Sequence, residues 1–266
     1  MGVNDWQKRI RRAEELEGQY AFAAELMRFY GQMAKVQAEI YWKIEDAKIV
    51  RNAAGGAVPF ARPLDAGVLD SFADFLRVVE KSGPEKLSKS AKELRQERGR
   101  WLEVLASFWA DPAMASEGAE QFFGRAYLQP FAAAIRERAK LKWDGPTAYA
   151  CPFCKRKPGV GVLRPLGDGG QRLLLCSFCL GEWEFRRILC AGCGEGDPAK
   201  LPVYEAEELK HVRVNACDSC KTYLKTVDFT KSALGEAIVD EIAAVPLDLW
   251  AQERGYTKLQ TNLLQM

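Results

Sequence analysis

The chain has 266 residues, 48% of them apolar, with 38 Lys and Arg against 36 Asp and Glu, a formal net charge of +2, one histidine and eight cysteines. That length suits two domains, and the near-balance of charge removes the broad basic field a polyphosphate partner requires, which makes nucleic acid a poor candidate. No stretch reaches the roughly 18 to 20 apolar residues of a membrane span, and the N-terminus enters alternating charge without an apolar signal core, so a cytoplasmic protein is expected.

From the N-terminus, Trp6, Ile10, Ala13, Leu16, Tyr20, Ala23, Met27, Tyr30, Met33, Ile40 and Ile44 recur mostly at helical steps. This is the stripe of one long amphipathic helix or of two in succession, with Gly18 and Gly31 expected at bends or close helix contacts. Ala54-Gly-Gly-Ala-Val-Pro59 interrupts the pattern as a loop, and Pro63 marks a new start. Helix is predicted to resume with Val68, Phe72, Phe75, Leu76 and Val79 and to end near Gly83-Pro84. Further helices are predicted over 85–96, from Trp101 to Ala110 and from Ser116 to Leu141. The last contains Pro130, which lacks an N–H and crowds the preceding turn, so a kink or break is expected near 126–130. Residues 1–141 thus read as a helical bundle domain whose aromatic stripe is core packing rather than the wall of a cofactor or lipid pocket.

Lys142 to Ala150 reads as a linker into the cysteine region. All eight cysteines fall in four C-x-x-C pairs, Cys151/Cys154, Cys176/Cys179, Cys190/Cys193 and Cys217/Cys220. Such a pair places two sulfurs on one tight turn, and a tetrahedral ion needs two turns from separated segments. One zinc or iron ion is therefore predicted on Cys151, Cys154, Cys176 and Cys179, and a second on Cys190, Cys193, Cys217 and Cys220. Sequential pairing is preferred because joining the second pair to the third, across only ten residues, would leave the first pair to close a loop over both. Arg172 to Leu175, Glu182 to Leu189, Val212 to Val214 and Thr222 to Phe229 read as half-buried strands around the second and fourth pairs. Offsets of 39 residues from Cys151 to Cys190 and of 41 from Cys176 to Cys217 point to an internal duplication. Two tandem rubredoxin- or zinc-ribbon-like modules, each with four cysteine ligands, are expected over 142–189 and 190–232, with Gly167-Asp-Gly-Gly170 as a hairpin turn in the first rather than a phosphate loop. A helix from Ala233 to Ile242, an interruption at Pro246 and a further turn over Leu247 to Gln252, ended by Gly255, make 233–266 a C-terminal helical tail packed on the rest. The fold class is α+β.

A closed four-thiolate set keeps no open coordination position, which argues against hydrolysis at these ions. Zinc would make the centres structural, iron would make them one-electron carriers, and the ligands do not choose between the two. A thiol oxidoreductase is disfavoured because the pairs are flanked by strands, not by helix N-termini. His211 reads as a strand side chain near the surface in preference to a proton-transfer group. Lys155-Arg-Lys157, Arg164 and Arg186-Arg187 read as solvated knuckle and strand-edge charges, and Glu205, Glu207 and Glu208 as a solvated loop or helix start.

Cys151-Pro-Phe-Cys154, Leu175-Cys-Ser-Phe-Cys179 followed by Glu182-Trp183, Cys190-Ala-Gly-Cys-Gly194, Ala216-Cys-Asp-Ser-Cys220 with Tyr223-Leu-Lys225, and the tail Leu247-Asp-Leu-Trp-Ala251, Gly255-Tyr256 and Asn262-Leu-Leu264 together resemble the formate dehydrogenase accessory protein family, FdhE. The specific motifs lie within residues 145–266; in the first half the best local match is Leu26-Met-Arg-Phe-Tyr30 with Gln37. The chain departs from the pattern in that only the third pair is followed directly by glycine, Gly194, whereas Lys155 and Lys221 follow the first and fourth. The resemblance implies a cytoplasmic accessory protein, not an enzyme, that acts on the molybdenum- or tungsten-containing catalytic subunit of formate dehydrogenase before export or assembly. Its metal modules would present a rigid surface to that partner, as a monomer or a homodimer. Two readings from other classes stand beside it: a rubredoxin-like iron electron carrier and a zinc-ribbon regulator that binds nucleic acid.

Overall fold

The computed structural model describes residues 3–46, 66–69, 71–111, 118–138, 143, 145, 147–167 and 169–266. The predicted loop at 54–59, Pro63 and the predicted helix start at Ser116 lie outside the described residues. Among the described residues no helix is long and apolar enough to cross a membrane.

The long N-terminal stripe divides into two helices, α1 (Val3–Gln19) and α2 (Ala24–Asp46). The break comes at Tyr20, whose extended backbone (φ −119°, ψ 99°) leads into a single 3-10 turn. Neither glycine is required by a bend or a close contact: α1 and α2 run through Gly18 and Gly31, and a Cβ at Gly31 would meet Ala13 Cβ at an ordinary 3.8 Å. Among the described residues, four more helices complete this part: α3 (Phe72–Ser82), α4 (Glu85–Gln96), α5 (Trp101–Ala110) and α6 (Ala119–Arg138). The aromatic stripe is core. Phe72 packs edge-on against Trp101 and Tyr127 at centroid distances of 5.5 and 4.8 Å.

α6 runs unbroken through Pro130 and is buried from Phe122 to Ile135. Proline leaves the carbonyl four residues earlier without its helical donor. That carbonyl, of Ala126, accepts instead from Gln37 Nε2 of α2 at 2.7 Å, so a neighbouring helix supplies the missing bond and the break anticipated at 126–130 does not form.

Among the described residues seven strands make one sheet: β1 (Pro158–Leu166), β2 (Gly169–Cys176), β3 (Glu182–Glu184), β4 (Val203–Glu205), β5 (Val212–Ala216), β6 (Thr222–Asp228) and β7 (Thr257–Lys258). The order is β3-β2-β1-β6-β5-β4, with β7 beside β6. Each half repeats one plan, in which a knuckle precedes the first strand and a second knuckle separates the other two. The halves meet where β1 runs parallel to β6, pairing Gly161 with Thr226, and β7 covers the start of the same edge at Thr222 and Tyr223. β1 and β2 pair antiparallel with Leu166 opposite Gly169 and Gly167 at φ +56°, in keeping with the expected hairpin; residue 168 of that turn lies outside the described residues.

The strand predicted over Glu182 to Leu189 stops at Glu184. Beyond it the backbone curls toward Arg172, whose Nη1 donates to the carbonyls of Arg186, Arg187 and Leu189 at 3.1, 3.1 and 2.9 Å. β6 is buried on both faces rather than one. Lys225 at its centre has 0% exposure and is ion-paired to Asp248 at 2.6 Å and Glu241 at 3.0 Å.

Those two carboxylates belong to α7 (Ala237–Ala243) and α8 (Val245–Glu253), which cover one face of the sheet. Lys258 pairs with both, Tyr223 donates its hydroxyl to Asp248 at 2.8 Å, and Asn262 Nδ2 donates to Glu241 at 3.1 Å. Burial works against the Glu241 carboxylate, but Lys225 and Lys258 outweigh it and hold the group at about 2. The smaller of two apolar cores lies here, among Val160, Val162, Val212, Val214, Leu247 and Ala251. The larger is shared by the helices and the first cysteine quartet. The whole is an α+β fold.

Candidate metal centres

All four C-x-x-C pairs adopt one backbone form. The residue directly after each second cysteine has positive φ: Lys155 at 66°, Leu180 at 58°, Gly194 at 81° and Lys221 at 55°. In every pair the first cysteine's N–H donates to the carbonyl five residues on, from Cys151 to Arg156, Cys176 to Gly181, Cys190 to Glu195 and Cys217 to Thr222, at 2.7 to 2.9 Å. The uniform turn holds despite three non-glycine residues in a region that costs an L-residue roughly 1–2 kcal/mol.

The knuckles bring their sulfurs together in two quartets, Cys151, Cys154, Cys176 and Cys179 in one and Cys190, Cys193, Cys217 and Cys220 in the other, all within 4.8 Å of one another. The sequential pairing expected from spacing is the one found. Cys151 and Cys179 sulfurs are 3.5 Å apart and those of Cys154 and Cys176 3.3 Å; the corresponding pairs in the second quartet, Cys190–Cys220 and Cys193–Cys217, are each 3.7 Å apart. A disulfide would need about 2.05 Å, whereas a tetrahedron of sulfurs about 2.3 Å from a zinc ion has edges of about 3.8 Å. The donor set fits one tetrahedral ion per quartet, and two metal ions could be held.

Within each quartet the thiols shift one another in opposite directions. In the first quartet, hydrogen bonds from Cys151, Cys176 and Cys179 hold the Cys154 thiol well below its ordinary range, while burial pushes Cys176 and Cys179 well above theirs. Burial also raises Cys220, yet hydrogen bonds from Thr222 and the neighbouring thiols outweigh it and bring the group to about 7. Four thiolates so close repel unless a cation takes the place of their protons.

Three buried arginines complete the electrostatics. Arg125 donates to the carbonyls of Ser177, Thr261 and Asn262, and Arg156 to those of Phe108, Trp109 and Asp111. Arg156 also lies over the rings of Phe108 and Phe178, at 4.8 and 4.1 Å from their centroids. Arg172 holds the loop after β3. Among the described residues none of the three forms an ion pair with a carboxylate. Burial lowers Arg125 and Arg172 to about 10, so they stay cationic at neutral pH. The opposing pull comes in part from cysteine sulfurs: Cys176 on Arg125, Cys154, Cys176 and Cys179 on Arg156, and Cys190 on Arg172. A divalent ion on four thiolates would carry two net negative charges, adding to the counter-charge that Glu241 gives Arg125 and Asp111 gives Arg156.

The burial of Arg156 departs from the solvated charges expected of the basic runs. Arg156 sits in Lys155-Arg-Lys157, of which Lys155 and Lys157 are exposed, as expected, and Arg156 is buried. The signal was the apolar Pro158-Gly-Val-Gly-Val162 that follows. Arg164, Arg186 and Arg187 are exposed, as expected, with Arg164 paired to Glu182. Of the three glutamates, Glu205 ends β4, and Glu207 and Glu208 open a 3-10 turn. His211 lies apart from both quartets, 2.7 Å from Asp240, which Arg12 also binds at 2.6 Å. It serves a structural link between sheet and helices.

Comparison with known proteins adds three findings. A family model described as "FdhE, central domain" matches residues 150–187 and another, "FdhE, C-terminal domain", matches 188–265. "Protein FdhE homolog" of Aquifex aeolicus is 30% identical over 198 residues, 74% of this chain and 69% of that protein. The homolog from Edwardsiella ictaluri is 29% identical over 136 residues, which is 51% of this chain and 44% of its own length. In structure, the chain is similar to the crystal structure of the FdhE protein from Pseudomonas aeruginosa, with a TM-score of 0.72, 22% identity and coverage of 100% of this chain and 96% of that one.

Proposed function

This chain belongs to the FdhE family, and from that premise we propose that it is an accessory protein in the maturation of formate dehydrogenase, binding the enzyme's catalytic subunit in the cytoplasm and doing no formate chemistry itself. The observation that carries this reading is the closed form of both quartets. Four thiolates around one ion leave no position for a substrate, so the reactive centre belongs to the client. Cys151, Cys154, Cys176 and Cys179 hold one ion, and Cys190, Cys193, Cys217 and Cys220 the other. Each ion is zinc or iron. The working division is a helical bundle over 1–141, ribbons over 142–189 and 190–232, and a tail over 233–266. Exposed charges such as Lys155 and Arg186 act at the rim of the docking face, where they tune association more than affinity.

The test is capture. Immobilised protein should retain the formate dehydrogenase catalytic subunit from anaerobic extracts and show no formate oxidation of its own. Cys176→Ser or Cys217→Ser should abolish retention, because three remaining thiolates hold a labile ion. Arg186→Glu should weaken it in a salt-dependent way. Capture that survives loss of both quartets, or that never occurs with any such subunit, would overturn the proposal.

A further inference from the structure

The two quartets share ligands and knuckles but not cover. In the first, Cys151, Cys154, Cys176 and Cys179 are exposed by 0, 6, 1 and 0%. α5 lies over it through Phe108 and Trp109, whose rings stand 5.2 and 5.8 Å from that of Phe178 inside the second knuckle. α6 adds Arg136, which donates to the Cys179 carbonyl at 3.2 Å. In the second quartet Cys190 and Cys217 are buried, but Cys220 is half-buried and Cys193 is exposed. A cleft of about 130 Å³, lined by Ile188, Leu189, Val203 and Thr222 among others, also reaches Cys190 and Cys217 from the side.

We propose that the second centre is an exchangeable metal site for a soft divalent cation, and that the first releases its ion only slowly, after local opening. This rests on the reading that both quartets bind metal. Exchange at a four-coordinate thiolate centre is a ligand substitution. A sulfur of an incoming thiolate bonds to the ion as the bond to Cys193 breaks, the freed Cys193 thiolate takes a proton from water, and no oxidation state changes. Repetition at Cys220 leaves the ion held by Cys190 and Cys217 and ready to pass to a small thiol carrier or to arrive from one. At the first quartet the same attack must wait for α5 and α6 to open locally, and every 1.4 kcal/mol of opening energy slows it about tenfold.

The experiment uses the full chain loaded with two equivalents of zinc and challenged with excess pyridylazoresorcinol in the presence of glutathione. Zinc should leave in two phases of one equivalent each, separated by at least about tenfold in rate. Pulsed alkylation with iodoacetamide, mapped by peptide mass spectrometry on the same unmodified chain, should label Cys193 and Cys220 during the fast phase and the first quartet only during the slow one. Equal rates, or early labelling of Cys151 or Cys179, would overturn this inference alone. A chain that takes up no zinc would overturn it together with the metal reading beneath it.

Discussion

Arg156 has the most to reveal of any single residue, because among the described residues its direct partners are main-chain carbonyls and two aromatic faces. If its charge answers the anionic first centre, Arg156→Met should destabilise the metal-loaded protein by about 3–5 kcal/mol, the range for breaking a buried charge pairing. The metal-free protein should lose distinctly less in the same denaturant titration. Equal losses in the two states would make Arg156 a packing residue only. The eight cysteines were legible from spacing because a tetrahedral site imposes that spacing. The arginines were far less so, since Arg156 stands between two exposed lysines and only the apolar run that follows it hints at burial. Nor was the common knuckle form, which Lys155, Leu180 and Lys221 adopt without the glycine that would announce it.

α6 and β6 show what context does to elements. Periodicity alone places α4 over 85–96 and α5 over Trp101 to Ala110, both as found, since an amphipathic helix against one core writes its boundaries in sequence. α6 is buried on all sides and carries a proline, and its continuity depends on Gln37 from another helix. Gln37→Leu should therefore cost about 1–3 kcal/mol, the penalty of an orphaned buried carbonyl, read as a lower denaturation midpoint. Unchanged stability would mean the Ala126 carbonyl finds another donor. β6 misleads in the opposite sense. Its alternation of Tyr223, Lys225 and Val227 looks half-exposed, but Lys225 is matched inside the protein by the carboxylates of Glu241 and Asp248, 16 and 23 residues further on, which no local pattern reveals. β1, with Pro158, Gly159, Gly161 and Pro165, has too many strand-breaking residues to be read as a strand, and forms because β2 and β6 flank it.

At the scale of the whole molecule, two copies of one ribbon are fused through β1 and β6, capped on one face by α7 and α8, and joined to the helices through the first quartet. The duplication was visible in the 39- and 41-residue offsets, and the α+β class in the helical periodicity of the first half and the strand patterns around the cysteine pairs; the merger into a single sheet was not, because it depends on the β1–β6 contact. The helices also bury an aromatic cluster of their own around Phe72, Phe75, Trp101 and Tyr127. Chelation should accordingly collapse the ribbons while most of the helical circular dichroism persists, and loss of the entire helical signal would show one cooperative unit. The proposed function and the exchange at the second centre both require the quartets to be metal centres. Native mass spectrometry of the intact chain, purified anaerobically, tests that most directly. The account predicts a mass corresponding to two bound zinc or iron ions with the thiol protons displaced, and a chain carrying eight free thiols and no metal, or a single ion, would contradict it.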